Sequence, residues 1–75
     1  MRLTEGPGHV AFRALRSGDR HGAVLNNWGA AAEVSVRFPA SAKSATEIIS
    51  GDRLAFEQGN ARFHLAEGAS AVILA

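Results

Sequence analysis

The chain contains no cysteine, so neither a disulfide framework nor a thiolate metal site is available to it. It also lacks a charge of one sign: eight basic and seven acidic side chains leave a net charge of +1 with histidine neutral. The arginines are scattered at positions 2, 13, 16, 20, 37, 53 and 62 instead of being gathered on one face between aromatics, so no nucleic-acid partner is expected. No apolar run approaches the ~20 residues of a membrane span, and the start "MRLTEGPG" has no apolar stretch of the kind that follows the basic end of a signal peptide. A soluble chain without a membrane partner is the expectation, and nothing in the sequence assigns a compartment. Bulky apolar side chains are scarce as well. Of the 47% of residues that are apolar, 35 in all, 15 are alanine, which leaves 20 larger ones to fill a core. Seventy-five residues make one domain at most, and a core this thin, with no staple, is better stabilised against a neighbour than alone.

What is present alternates with period two. Residues 1–8 carry Gly6, Pro7 and Gly8, which cannot propagate a helix or central strand, and read as a linker or disordered end with the folded domain over 9–75. "VAFRALR" sets Val10, Phe12 and Ala14 against Ala11, Arg13 and Leu15; "SGDRHG" then reverses the chain into "AVLNN", a hairpin with a loop of several residues. In "AEVSVRF" Val34, Val36 and Phe38 point inward, while Glu33, Ser35 and Arg37 face water, until Pro39 ends the strand. "ATEIIS", "LAFEQ" and "ARFHLA" follow as short strands, with Gly59 and Asn60 as a tight reversal. The end, "ASAVILA", is apolar on both faces and reads as a strand covered on both sides. This spacing predicts an all-β fold, a small antiparallel β-sandwich of six to seven strands. Its expected core is Val34, Val36, Phe38, Phe56, Phe63, Leu65, Val72 and Ile73.

Little in the chain carries chemistry. His9, His21 and His64 stand far apart, none with a partner at metal-ligand spacing, so no metal or other cofactor is expected. Glu33, Glu47, Asp52, Glu57 and Glu67 fall at strand edges or in turns, and nothing in the sequence separates their pKa values as a glycosidic acid–base pair would need. No catalytic residue is therefore assigned. The open question is "NNWG". Trp28 could stack on a sugar with Asn26 and Asn27 bonding its hydroxyls, or it could pack while the asparagines and Gly29 merely turn the chain. Packing, in the core or against another domain, is the expected role.

The order "VAFRALRSGDRHGAVLNNWGAAAEVSVRFPASAKSATEIISGDRL", an aromatic strand, then "FHLAEGASAVILA" resembles the small C-terminal β-sandwich of TIM-barrel glycoside hydrolases such as alpha-galactosidases and alpha-amylases. In that family an arginine and a Gly-Asp turn lead into Val-Leu-Asn-Asn, then alternating valines, then an Ala-Thr-acid segment closed by Gly-Asp. The likeness covers residues 9–75. The chain departs from it at "EIISG", where many relatives carry aspartate, leucine and an aromatic, and at "AEGA", which lacks their proline. The resemblance implies a non-catalytic accessory domain that stabilises or packs against a catalytic barrel, in cis or as a partner, and it carries over no active-site residue. Two alternatives stand beside it: a carbohydrate-binding module using Trp28, Asn26 and Asn27, and a β-domain that associates with itself as a homodimer.

Overall fold

A computed structural model describes residues 1–40 and 42–75, apart from the side chain of Phe56. The described residues form nine strands, paired antiparallel in two sheets, and the chain is a small all-β sandwich. The strands are β1 (Arg2–Glu5), β2 (Val10–Ser17), β3 (Arg20–Asn27), β4 (Ala32–Arg37), β5 (Ala45–Glu47), β6 (Asp52–Leu54), β7 (Phe56–Glu57), β8 (Asn60–Leu65) and β9 (Ser70–Leu74). One sheet has four strands in the order β1-β4-β8-β7, the other five in the order β2-β3-β9-β5-β6.

The count exceeds the expected six to seven because of two short edge pieces, β6 and β7, and because of β1. Residues 1–8, expected to be a linker, are corrected by the structure: β1 pairs Arg2 with Arg37 and Leu3 with Val36 on the edge of the four-stranded sheet. An edge strand is held by backbone bonds, so it needs only one apolar anchor, and Leu3 packs against the core. Gly6, Pro7 and Gly8 turn the chain from one sheet to the other, and Val10 N–H closes that turn on Pro7 O at 3.1 Å. The domain thus begins before His9.

The first hairpin is tighter than expected. Ser17 pairs with Arg20, leaving a two-residue loop whose first member, Gly18, has φ of 60°. That is the glycine-first turn whose twist matches two adjoining strands. Residues 58 and 59 make the other common two-residue reversal, with both φ values positive: 53° at Gln58 and 81° at Gly59.

Alternation along each strand builds the core. Val34 and Val36 of β4 and Ala61 and Leu65 of β8 meet Ala23 and Leu25 of β3 and Ala71 and Ile73 of β9, closed by Val10, Phe38 and Ala45. Four of these eleven residues are alanine, so most of the burial energy rests on the other seven, Val10, Leu25, Val34, Val36, Phe38, Leu65 and Ile73, at about 1.5–3 kcal/mol each. Of the expected core, Val34, Val36, Phe38, Leu65 and Ile73 are buried and Phe63 is partly buried against them, while the Phe56 side chain lies outside the described residues. Val72 is corrected: it sits on the opposite side of β9 from Ala71 and Ile73 and is only half-buried. The expectation that β9 is covered on both sides therefore fails. Its inner face meets the four-stranded sheet, while on its outer face Val72 is only half-buried and Leu74 is exposed.

Candidate functional site

The two outer faces of the sandwich differ in kind. On the four-stranded sheet the register sets Glu33 beside His64 and Ser35 beside Arg62, with Arg37 beside Asn60. His64 Nδ1 lies 3.1 Å from Glu33 Oε1, and Arg62 approaches the same carboxylate at 4.0 Å. This is a solvated face of mixed charge, on which such pairs contribute little stability.

The outer face of the five-stranded sheet carries an apolar patch set among polar side chains. Its register aligns Leu15, Gly22, Leu74 and Thr46 in one row across the strands, and Arg13, Val24 and Val72 in the next. Ile48 extends the second row, because its N–H donates to Val72 O at 2.8 Å. Leu15 is 44% exposed, Ile48 49% and the following Ile49 63%. Gly22 keeps the first row flat: a Cβ there would come within 3.1 Å of Ile73 O and 3.2 Å of Leu74 Cδ2, so a larger residue would require the leucine to shift by a few tenths of an ångström. The charged side chains that alternation brings to this face are Arg13, Arg20 and Arg53, with no carboxylate among the described strand residues.

Glu47 fixes the margin of this face. Its inward side chain turns back so that Oε2 accepts from Val72 N–H at 2.9 Å and Ile49 N–H at 3.0 Å, while Oε1 accepts from Ser50 N–H at 2.9 Å. The carboxylate thus takes the place on β9 that a strand carbonyl would hold, just where the chain leaves β5 to form the turn bearing Ile48 and Ile49. Burial by itself would raise the Glu47 pKa, but the backbone N–H groups of Val72, Ile49 and Ser50, with the Ser50 side chain, outweigh it and leave the pKa below the ordinary glutamate value. Both carboxylate oxygens are thus engaged by the fold.

The "NNWG" residues separate into different roles. Asn27 shares the inward side of β3 with Ala23 and Leu25 and is 2% exposed. Its Nδ2 donates to Ala30 O at 2.9 Å and to Leu65 O and Ala66 O at 3.1 Å, and its Oδ1 accepts from Gly29 N–H at 3.0 Å. It ties the two sheets together and lies on the inward side of β3, away from the outer face that Asn26 and Trp28 share. Asn26 faces outward, its Oδ1 accepting from Ser70 Oγ at 2.6 Å. Gly29 lies against the His9 ring, where a Cβ would sit 2.7 Å from Cδ2, and His9 Nε2 is 3.1 Å from Ala30 O. Trp28, expected to pack, is 77% exposed: its N–H donates to His9 O at 2.9 Å, and alternation from buried Asn27 turns the indole to the outer side. Core packing is therefore corrected. Asn27 takes the core position, and the indole stands at the end of the apolar face.

Among the described residues no group of three or more His, Asp or Glu side chains could hold a metal ion, and no helix is long and apolar enough to cross a membrane. No family model matches this chain, and no curated protein or solved structure does either.

Proposed function

We propose that this chain is a non-catalytic accessory domain that docks on a catalytic domain through the outer face of its five-stranded sheet. A glycoside hydrolase barrel is the partner the sequence resemblance suggests. The observation that carries the reading is the asymmetry of the two faces. Leu15, Trp28, Ile48 and Leu74, the turn residue Ile49 and half-buried Val24 and Val72 all lie on or beside one face, while the other is polar. A concentration of large apolar side chains on one side marks an interaction surface. A stable protein interface covers about 800 Å² per partner, roughly a sixth of this chain's 4754 Å², which one sheet face can supply. The arginines round the patch favour a partner surface with carboxylates at its rim, and Trp28 supplies the kind of aromatic anchor on which binding energy concentrates.

The second reading, carbohydrate binding, is favoured by the exposure of Trp28 with Asn26 on the same side. It is weakened by the bond that Asn26 Oδ1 already accepts from Ser70 Oγ and by the commitment of Asn27 to the fold. The readings separate by residue-specific photocrosslinking in the source cells, with a photoreactive residue at Leu74 and, as comparator, at Arg37 on the polar face. An adduct to a glycoside hydrolase from position 74 and none from 37 supports docking. Absence of a protein adduct from 74, together with quenching of Trp28 by a saccharide, would replace it with the carbohydrate reading.

A further inference from the structure

The five-stranded sheet ends on β2, and this edge is open. It runs for eight residues without a break in register, whereas the other edge strands, β1, β6 and β7, have four, three and two. Long regular edges are templates for another strand, and β2 carries no proline, lysine or bulge to prevent it. The phase of its ladder follows from one bond. Trp28 N–H donates to His9 O, so the odd-numbered residues of β2 exchange bonds with β3. On the far side of β3, Asn27 N–H to Ala69 O and Ala75 N–H to His21 O show the complementary set engaged with β9. The N–H and C=O groups of Phe12, Ala14 and Arg16 therefore point out of the sheet. Val10 has the same phase, but its N–H is already taken by Pro7 O.

We infer that β2 pairs antiparallel with β2 of a second copy of this chain, with Ala14 opposite Ala14 on the two-fold axis. Among antiparallel self-pairings, this register pairs every outward N–H and C=O of Phe12, Ala14 and Arg16. Ala14 exchanges two bonds with its counterpart, and Phe12 exchanges two with Arg16 of the second copy, as Arg16 does with its Phe12, giving six in all. Sliding the register by one step of the ladder, to Phe12 opposite Ala14, would call on the engaged Val10 N–H and set Arg13 directly against Arg13, a like-charge pair that destabilises a sheet. In the register inferred, Arg13 instead faces Leu15. The Arg16 guanidinium faces the Phe12 ring of the other copy, within reach of a cation–π contact. The result is a continuous ten-stranded sheet carrying two apolar outer faces side by side. The pairing uses backbone groups that the docking face does not, so it stands or falls apart from the proposed function.

Sedimentation equilibrium at micromolar concentration reads the outcome directly. The wild-type chain is expected as a dimer and Ala14→Pro as a monomer with an unchanged circular dichroism spectrum, because the Ala14 N–H bonds nothing within the single chain and an edge strand tolerates proline. The absence of native cysteine gives a second measurement that does not depend on that variant folding. A short bismaleimide is expected to join copies through Ala14→Cys but not through Arg53→Cys, which would lie roughly 43 Å apart at about 4.8 Å per strand. A monomeric wild type, a dimer that persists in Ala14→Pro, or linkage through Arg53→Cys would each overturn the inference.

Discussion

The Asn27 side-chain nitrogen lies 3.1 Å from the carbonyl oxygen of Leu65, a polar bridge between β3 of one sheet and β8 of the other, in a core otherwise closed by aliphatic contacts. The same amide gathers Ala30 O and Ala66 O and holds the Trp28 loop in place through Gly29 N–H. Truncation would leave the buried Leu65 carbonyl without its donor, whereas Ala30 O and Ala66 O lie where water can reach them. Asn27→Ala is expected to cost about 1–3 kcal/mol, the loss at one buried carbonyl, measured by urea unfolding. A change below 0.5 kcal/mol would mean that this carbonyl finds water in the folded state.

Glu47 makes one contribution to stability that depends on acid pH. Its folded pKa is lowered relative to the unfolded chain, so its contribution is complete above the ordinary glutamate value and is lost as pH falls through the lowered one. Glu47→Gln keeps the shape but turns an amide donor toward N–H groups that already donate. The variant is expected to lose about 1–3 kcal/mol near neutral pH and to show a shallower fall in stability on acidification. Parallel pH profiles for the two proteins would contradict the assignment.

Gln58 holds φ of 53°, a conformation costly for a long side chain and easy for asparagine, in a loop whose second residue is Gly59. Gln58→Asn is expected to raise stability by about 0.5–1 kcal/mol, seen as a higher Tm. No gain would indicate that the Gln58 side chain makes a compensating contact.

On the outer face, Leu74→Lys replaces a side chain of the proposed docking surface and leaves the inner packing of Ala71 and Ile73 untouched. Its Tm should stay within a few degrees of wild type while the photocrosslink to the catalytic partner, read from a photoreactive residue at Leu15, disappears. Retention of that crosslink would remove the face from the interface.

These positions show which features the sequence disclosed. Alternation in "AEVSVRF" and "ARFHLA" was enough to place Val34, Val36 and Leu65 inside, because a strand buried on one side must repeat every second residue. The same count, run from Leu25, puts Asn27 inward and Trp28 outward; that signal was present but was hidden by the familiarity of Asn and Gly as turn residues. Strand β1 was not legible, since an edge held by backbone bonds and one leucine leaves almost no pattern beside Gly6, Pro7 and Gly8. Nor was the state of β9. Two apolar faces announce that both want cover, but whether the second cover belongs to the same chain is a property of the whole topology.

The most direct test of the central claim is NMR, read at methyl, backbone amide and indole signals, of the folded chain titrated with the protein that position 74 captures. Docking through the five-stranded sheet predicts shifts at the methyls of Leu15, Val24, Ile48, Val72 and Leu74, with those of Leu25, Val34 and Val36 unmoved. Shifts confined to the amides of Glu33, Arg62 and His64 on the opposite face, or to the Trp28 indole alone, would contradict it.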